Sequence, residues 1–210
     1  MATTESIDRK RFTTEFDHAY TRYAGLYDLF VKVIPVWRNW IFQAISQIRG
    51  PRVLEVSFGT GYLLTRYAGR YETYGVDLNW KMVWFAKTNL DQKGVQARIQ
   101  QGNVEHLPYR EEIFDTVVNT MSFTGYPDGI VAMKEIHRVL KVGGRLVIID
   151  INYPGDGNWL GMRLTRMWAF FGDIIRDMKT LLEQFGFEYT DEEIGGFGSV
   201  HLYVATKVSR

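Results

Sequence analysis

Glu55, Ser57, Gly59, Thr60, Gly61 and Asp77 are the residues of this chain whose types and spacing can do chemistry together. The run Val53-Leu54-Glu55-Val56-Ser57-Phe58-Gly59-Thr60-Gly61 has the form of a buried strand entering a glycine turn. Tyr74-Gly75-Val76-Asp77-Leu78 has the form of a second strand tipped by an acid. Glycine lets a backbone approach a ligand closely, and an acid at the neighbouring strand tip accepts hydrogen bonds from ribose hydroxyls. Together they hold a nucleoside. A dinucleotide fingerprint needs a third glycine, so that a pyrophosphate can sit on the helix N-terminus; here Leu63-Leu64 occupy that region. Glu55 would repel a pyrophosphate but suits a cationic ligand. S-adenosylmethionine, a nucleoside carrying a sulfonium and an ammonium, meets both conditions. A glycine turn can also be purely structural. The acid 16 residues beyond Gly61, in a strand–turn–helix context, favours binding.

The elements that must position these residues alternate. Strand one is expected over Val53 to Ser57 or Phe58, with a helix running on to about Gly69. Strand two is Thr73 to Asp77, followed by a helix over Lys81 to Gln92. Strand three is Ala97 to Gln101 and strand four Phe114 to Thr120. A helix from Gly129 to Leu140 is expected to stop at Gly143-Gly144, a C-cap signal. Strand five is Arg145 to Ile151. A helix near Met178 to Phe185 stops at Gly186, and Phe187 to Ile194 and Val200 to Thr206 form a final hairpin, hence an antiparallel pair. Alternating strands and helices imply a mainly parallel sheet. Before it lies a helical preface, with Phe16, Tyr20, Tyr23 and Tyr27 on one face. Pro35 breaks or kinks the chain there, and a second helix carries Trp37, Trp40, Ile41 and Ile45 until Gly50-Pro51.

Further segments carry a family resemblance. Gln101-Gly102-Asn103-Val104-Glu105-His106-Leu107-Pro108-Tyr109, Phe114-Asp115-Thr116-Val117-Val118, and Glu135 to Ile148 through Gly143-Gly144 follow the glycine turn in order. From about Val53 to Asp150 the chain resembles the class I S-adenosylmethionine-dependent methyltransferases. The resemblance implies an α/β, Rossmann-like seven-stranded mainly parallel sheet with an antiparallel last strand, plus an N-terminal helical lid. It implies a single domain over 1–210, with the lid at 1–50, the cofactor-binding core at 51–153 and a substrate-capping insert with the C-terminal strands at 154–210. Two residues depart from the family pattern: Ser57 stands at its first glycine, and Asn103 at its usual aspartate after the third strand. The preface Phe16-Asp17, Tyr27-Asp28-Leu29 and Trp37-Arg38 resembles the start of quinone-ring C-methyltransferases and bacterial phospholipid N-methyltransferases. In that group the segment folds over the cofactor, which makes Tyr27 a lid candidate.

Open parallel sheets bind ligands beyond the carboxyl ends of their strands. That places Ser57 to Gly61, Asp77, Asn103, Asn119 and Thr120 around one crevice. Asp77 is expected on the ribose, Leu78 on the adenine face, and Asn103 with Val104 at the adenine edge. Gly59, Thr60 and Gly61 are expected around the aminoacid tail, with Glu55 orienting its ammonium. Glu55 could instead serve a salt bridge, and Leu78 could be an ordinary core leucine. Methyl transfer by in-line attack needs positioning more than a covalent intermediate, so no triad is required and none is visible. As bases, Tyr27, His18 and His201 are the candidates, while His106 and His137 look structural. On the substrate side Trp37, Tyr153, Arg163 and Arg166 are candidates, the arginines because they could meet a phosphate. An amphipathic cover helix explains the same segment.

Composition limits the alternatives. Lysine plus arginine number 25 against 24 acids, a net charge of +1, with no basic face to suggest nucleic acid. There is no cysteine, which removes disulfides and thiolate chemistry, and no histidine spacing suggests a metal. The polar N-terminus lacks a signal peptide's apolar core, so a cytoplasmic protein is expected. Aromatic residues beside Lys32, Arg38, Arg163 and Arg166 would suit peripheral contact with a membrane. The expected function is methyl transfer from S-adenosylmethionine to a small-molecule or lipid-like substrate. The rivals are a non-catalytic module that binds the same cofactor, and a nicotinamide-dependent oxidoreductase.

Overall fold

The structure is a computed structural model and describes residues 35–209. Helix α1, Pro35–Gln47, starts on its proline, where a missing backbone N–H costs nothing. The strands are β1 Arg52–Val56, β2 Glu72–Asp77, β3 Arg98–Gln101, β4 Phe114–Thr120, β5 Leu140–Ile151, β6 Phe187–Gly195 and β7 Val200–Lys207. Between them lie α2 Leu64–Tyr67, α3 Trp80–Lys93, α4 Gly129–Val139, α5 Trp159–Phe170 and α6 Met178–Gln184. They build one seven-stranded sheet in the order β3-β2-β1-β4-β5-β7-β6. Strand β7 is antiparallel to both neighbours, β5 and β6, and the other pairings are parallel. The expected seven-stranded Rossmann-like sheet is therefore present.

Strand β1 is buried on both faces from Val53 to Val56, as a central parallel strand must be. One core, on one face of the sheet, gathers Leu54, Val56, Phe114, Ile136 and Ile148; the other gathers Val53, Leu64, Tyr67, Val118 and Ile149. Caps fix where helices begin beside the strand tips. The Asn79 side chain accepts from the backbone N–H groups of Lys81 and Met82 at the head of α3. Asp128 does the same for Ile130 and Val131 at the head of α4.

Two expected boundaries change. The helix after the glycine turn is only α2, continued by a 3-10 turn over Ala68–Arg70. Gly143-Gly144 does not stop a helix: α4 ends at Val139, and Leu140 already pairs with Phe114. The next pairing joins Thr116 to Arg145, so residues 141–144 loop out of the ladder, and Gly143 takes φ 75° to turn the chain back.

Candidate ligand site at the strand tips

The glycine turn is tied directly to the neighbouring strand. The Gly59 N–H donates to Asp77 Oδ2 at 2.8 Å, and the Asn79 N–H donates to Asp77 Oδ1 at 2.9 Å. Asp77 is 7% exposed, so it is a buried, bonded acid and not a solvated one on a surface turn. Gly61 sits at φ 71°, and a Cβ there would come within 2.7 Å of Ala86 Cβ on α3. Its lack of a side chain lets α3 close against the turn. Asn89 of α3 donates to the Thr60 carbonyl at 2.9 Å. The Thr60 hydroxyl is buried and has no hydrogen-bond partner among the described residues, which is costly unless a ligand supplies one.

Below the turn, the Tyr67 hydroxyl donates to Glu55 Oε2 at 2.7 Å. Burial pushes the Glu55 carboxyl up to about 8, although the Tyr67 bond works the other way. Glu55, Ser57, Thr60 and Thr120 supply the polar lining of a small cavity of about 30 Å³, and Trp37, Ile41, Phe58, Tyr62, Leu63 and Met121 the rest. That is room for about one water-sized group, well short of the about 300–1,000 Å³ usual for a whole small-molecule ligand, so the enclosed cavity by itself does not hold one. A larger groove of about 470 Å³ lies against Arg145, Glu188 and Thr206, away from the turn.

The floor is a hydroxyl–amide network. The Ser57 and Tyr126 hydroxyls meet at 2.7 Å, and Asn119 Nδ2 donates to Tyr126 at 2.7 Å and to Ser122 Oγ at 2.8 Å. Tyr126 follows a 3-10 turn, Phe123–Gly125, that is clamped from below. Asp150, at the end of β5, accepts from the Thr124 N–H at 3.0 Å, and its other oxygen lies 3.0 Å from the Thr124 hydroxyl. Arg176 donates to the carbonyls of Phe123 and Tyr126. Sequence reasoning missed Tyr67, Tyr126 and Asp150. Only Asp150 left a signal, as an acid on a strand that was otherwise read as buried.

The other expected site residues distribute unevenly. Leu78 is 37% exposed beside Asp77, free to pack on a ligand face. The Asn103 side chain accepts from the Glu105 N–H at 2.9 Å and so caps a short turn, and Val104 is buried in the core. Asn119 is fully buried and is tied to the site through Tyr126, Ser122 and the Val56 carbonyl. Thr120 and Trp37 line the cavity. Tyr153 is exposed, and its carbonyl lies 3.1 Å from His201 Nε2. Arg163 and Arg166 are exposed on α5 and are not among the residues lining the cavity. His201 is buried, with Nδ1 2.7 Å from Asp191 and Nε2 on Tyr153. Burial opposes its charge, but Asp191, Glu193 and the Tyr153 carbonyl outweigh that and raise its pKa. Acceptors at both nitrogens favour its charged form. His18 and Tyr27 lie outside the described residues, as does the rest of the expected lid before residue 35.

A family model described as a methyltransferase domain matches residues 54–148. The chain is 32% identical over 146 residues to a demethylmenaquinone methyltransferase of Lactobacillus johnsonii, covering 64% of this chain and 60% of that protein. It is 26% identical over 161 residues to a ubiquinone/menaquinone biosynthesis C-methyltransferase of Proteus mirabilis, covering 71% of this chain and 64% of that one. The match thus spans less than two thirds of either relative. A crystal structure of an S-adenosylmethionine-dependent methyltransferase from Thermotoga maritima shares the fold, with a TM-score of 0.71 at 20% identity, covering 90% of this chain and 98% of that one.

Proposed function

We propose, from the premise that this chain belongs to the class I S-adenosylmethionine-dependent methyltransferase family, that it is an enzyme that methylates a small, largely apolar acceptor. Transfer to a carbon of a quinone-like ring comes first among the acceptor classes. The observation that carries the reading is one juxtaposition: Asp77 tied to the Gly59 N–H, close to a cavity lined by Glu55 and the unpartnered Thr60 hydroxyl. S-adenosylmethionine fits these residues. Asp77 would take the ribose, Leu78 and Val104 the adenine, and the backbone of Ser57 to Gly61, with the Thr60 hydroxyl, the aminoacid tail. Glu55 would face the ammonium. When bound, the cofactor supplies a methyl carbon on a positively charged sulfur. The chain's own work is then to orient the acceptor for in-line attack and keep water out. Trp37, Ile41, Phe58 and Met121 give the cavity apolar walls suited to that task. The two relatives named for quinone biosynthesis support a ring acceptor.

The nicotinamide alternative loses its footing at Leu63 and Leu64. Both are core residues, where a third glycine would have to open the turn to a pyrophosphate. A non-catalytic module that binds the cofactor keeps one specific observation, the serine at φ 55° in place of the family's first glycine. Two measurements separate the readings. Calorimetric titration with S-adenosylhomocysteine should show micromolar binding, with none for NADH. Incubation with methyl-deuterated S-adenosylmethionine and demethylated quinone precursors should yield a mass-shifted lipid-extractable product. Binding without any methylated product across quinone, amine, hydroxyl and thiol acceptors would favour the module, and absence of S-adenosylhomocysteine binding would end both.

A further inference from the structure

Helix α5 shows two opposite stripes. Trp159, Arg163, Arg166 and Phe170 recur at spacings of four, three and four and share one side. Gly161, Thr165 and Trp168 share the other. The inner stripe is firmly held. The Thr165 hydroxyl donates to the Asn152 carbonyl at 2.7 Å, and the Asn158 side chain donates to the Phe197 carbonyl at 3.0 Å. Gly161 lies so close to that same carbonyl that a Cβ would sit 2.2 Å from it. Trp168 packs 6.1 Å from Trp37, which lines the cavity. The outer stripe has no such anchors among the described residues: Trp159 is 72% exposed, Phe170 85% and the adjoining Phe171 69%. Large aromatic side chains exposed on a well-anchored helix, with arginines between them, are not a frayed end but a candidate interaction surface.

We propose that the outer stripe of α5 is a docking face for an anionic lipid surface, on which the helix lies flat. The chemistry of the stripe selects that occupant. Trp159 and Phe170 stand 11 residues apart, about 16 Å along the helix. Between them the only charges of α5 are Arg163 and Arg166. Aromatic rings enter the headgroup layer, while guanidinium groups on long apolar stems reach lipid phosphates. A second copy of this chain is a poorer occupant. A two-fold contact requires a self-complementary patch, and a stripe with charge of one sign would set arginine against arginine. Docking goes beyond methyl transfer and does not depend on it. It would also bring the Trp168–Trp37 side of the cavity close to the bilayer, so that an apolar acceptor need not cross water.

The test uses the full chain with vesicles of phosphatidylcholine mixed with phosphatidylglycerol, against phosphatidylcholine alone. Wild-type protein should co-sediment with the anionic vesicles, far less with the neutral ones, and be released as salt is raised, because surface charges are screened beyond about 10 Å at 0.1 M. Arg163→Glu with Arg166→Glu should lower partitioning by at least about thirtyfold, given about 1 kcal/mol per basic residue at an anionic surface. Phe170→Ser should also lower it, at either salt. Affinity for S-adenosylhomocysteine should stay within about twofold in each variant, and it serves as the check on folding. Equal partitioning of wild type to both vesicles, or to neither, overturns the proposal without a variant being needed. So does retention by the double arginine variant, or an outer-stripe change that dissolves a self-associated form in sedimentation velocity. Loss of S-adenosylhomocysteine binding by wild type, with vesicle binding intact, would count against the cofactor reading and not against this one.

Discussion

The hydroxyl of Tyr126 holds the hydroxyl of Ser57 at 2.7 Å, and Ser57 stands at φ 55°, a conformation that favours glycine. The Asn119 amide donates to Tyr126, which leaves the Tyr126 proton for Ser57. A serine in the left-handed region costs about 1–2 kcal/mol, and one hydrogen bond returns about 1 kcal/mol. The two nearly cancel, which explains how a serine can occupy the turn.

That balance predicts three outcomes. Ser57→Gly should change stability by less than about 1 kcal/mol and retain or improve affinity for S-adenosylhomocysteine, because relief of strain offsets the lost bond. Ser57→Ala keeps the strain and loses the bond, so it should destabilise by about 1 kcal/mol. Urea unfolding of Ser57→Ala, Tyr126→Phe and the pair should give a coupling of about 1 kcal/mol. Strict additivity would show that the contact contributes nothing.

Glu55 sets a second expectation. Burial raises its folded pKa from 4.5 to about 8. The fold therefore favours the protonated carboxyl, and the resulting stability is fully present below about pH 4.5 and lost as pH rises through about 8. Glu55→Gln should flatten that loss and be the more stable protein above pH 8, by an amount on the order of a few kcal/mol. A cationic ligand beside Glu55 would favour its carboxylate, so S-adenosylmethionine binding near neutral pH should release protons. Calorimetry in two buffers of different ionisation enthalpy reads that release directly. Identical apparent enthalpies in both would place the cation elsewhere.

The strands were legible because Val53–Val56 of β1, Thr116–Asn119 of β4 and Leu146–Ile151 of β5 are buried on both faces and so appear as largely apolar runs. Asp77 and the glycine turn were legible because local spacing alone brings them to adjacent strand tips. The ties that finish the site were not. Ser57 and Tyr126 are 69 residues apart, and their meeting depends on the 3-10 turn at Phe123–Gly125, which no local pattern announces. Glu55 and Tyr67 are 12 apart, and they meet at the end of a helix shorter than the one expected. Gly143-Gly144 misled for a related reason. Two glycines signal a turn without saying whether it closes a helix or a loop within a strand. The Asp191 partner of His201 comes from the neighbouring strand β6, so it becomes visible only once the hairpin register is known.

Asp77 has a structural role beside the binding role proposed for it, and substitutions should separate the two. Asp77→Ala removes the proposed acceptor for ribose and also the bonds from Gly59 and Asn79. It should weaken S-adenosylhomocysteine binding at least about tenfold and cost stability of about 1–3 kcal/mol. Asp77→Asn keeps one acceptor oxygen and should be milder on both counts. Calorimetry and thermal unfolding on the same samples distinguish the roles. Full affinity in the alanine variant would remove Asp77 from the ligand.

Asp150 and Asp173 pose the sharpest question of protonation. The single Thr124 hydroxyl lies 3.0 Å from an Asp150 oxygen and 2.7 Å from an Asp173 oxygen. One hydroxyl proton can serve only one of them, so the other contact is best satisfied by a protonated carboxyl. Burial raises Asp150 from 3.8 to about 6, against bonds from Ile151 and Thr124, and also raises Asp173. The sign matches that of Glu55. The contribution of Asp150 is fully present below about pH 3.8 and is lost as pH rises through about 6. The arginine that clamps the same turn, Arg176, limits the loss by attracting the ionised form. Asp150→Asn preserves an acceptor for the Thr124 N–H and removes the titration. It should therefore raise the melting temperature at pH 8 relative to wild type and have less effect at pH 5. Melting curves across pH 4–8 check this, with Thr124→Val as the companion variant, which breaks both carboxyl contacts and should destabilise throughout. A pH-independent difference between Asp150→Asn and wild type would mean that Asp150 is already ionised across the range and that the Thr124 hydroxyl donates to it.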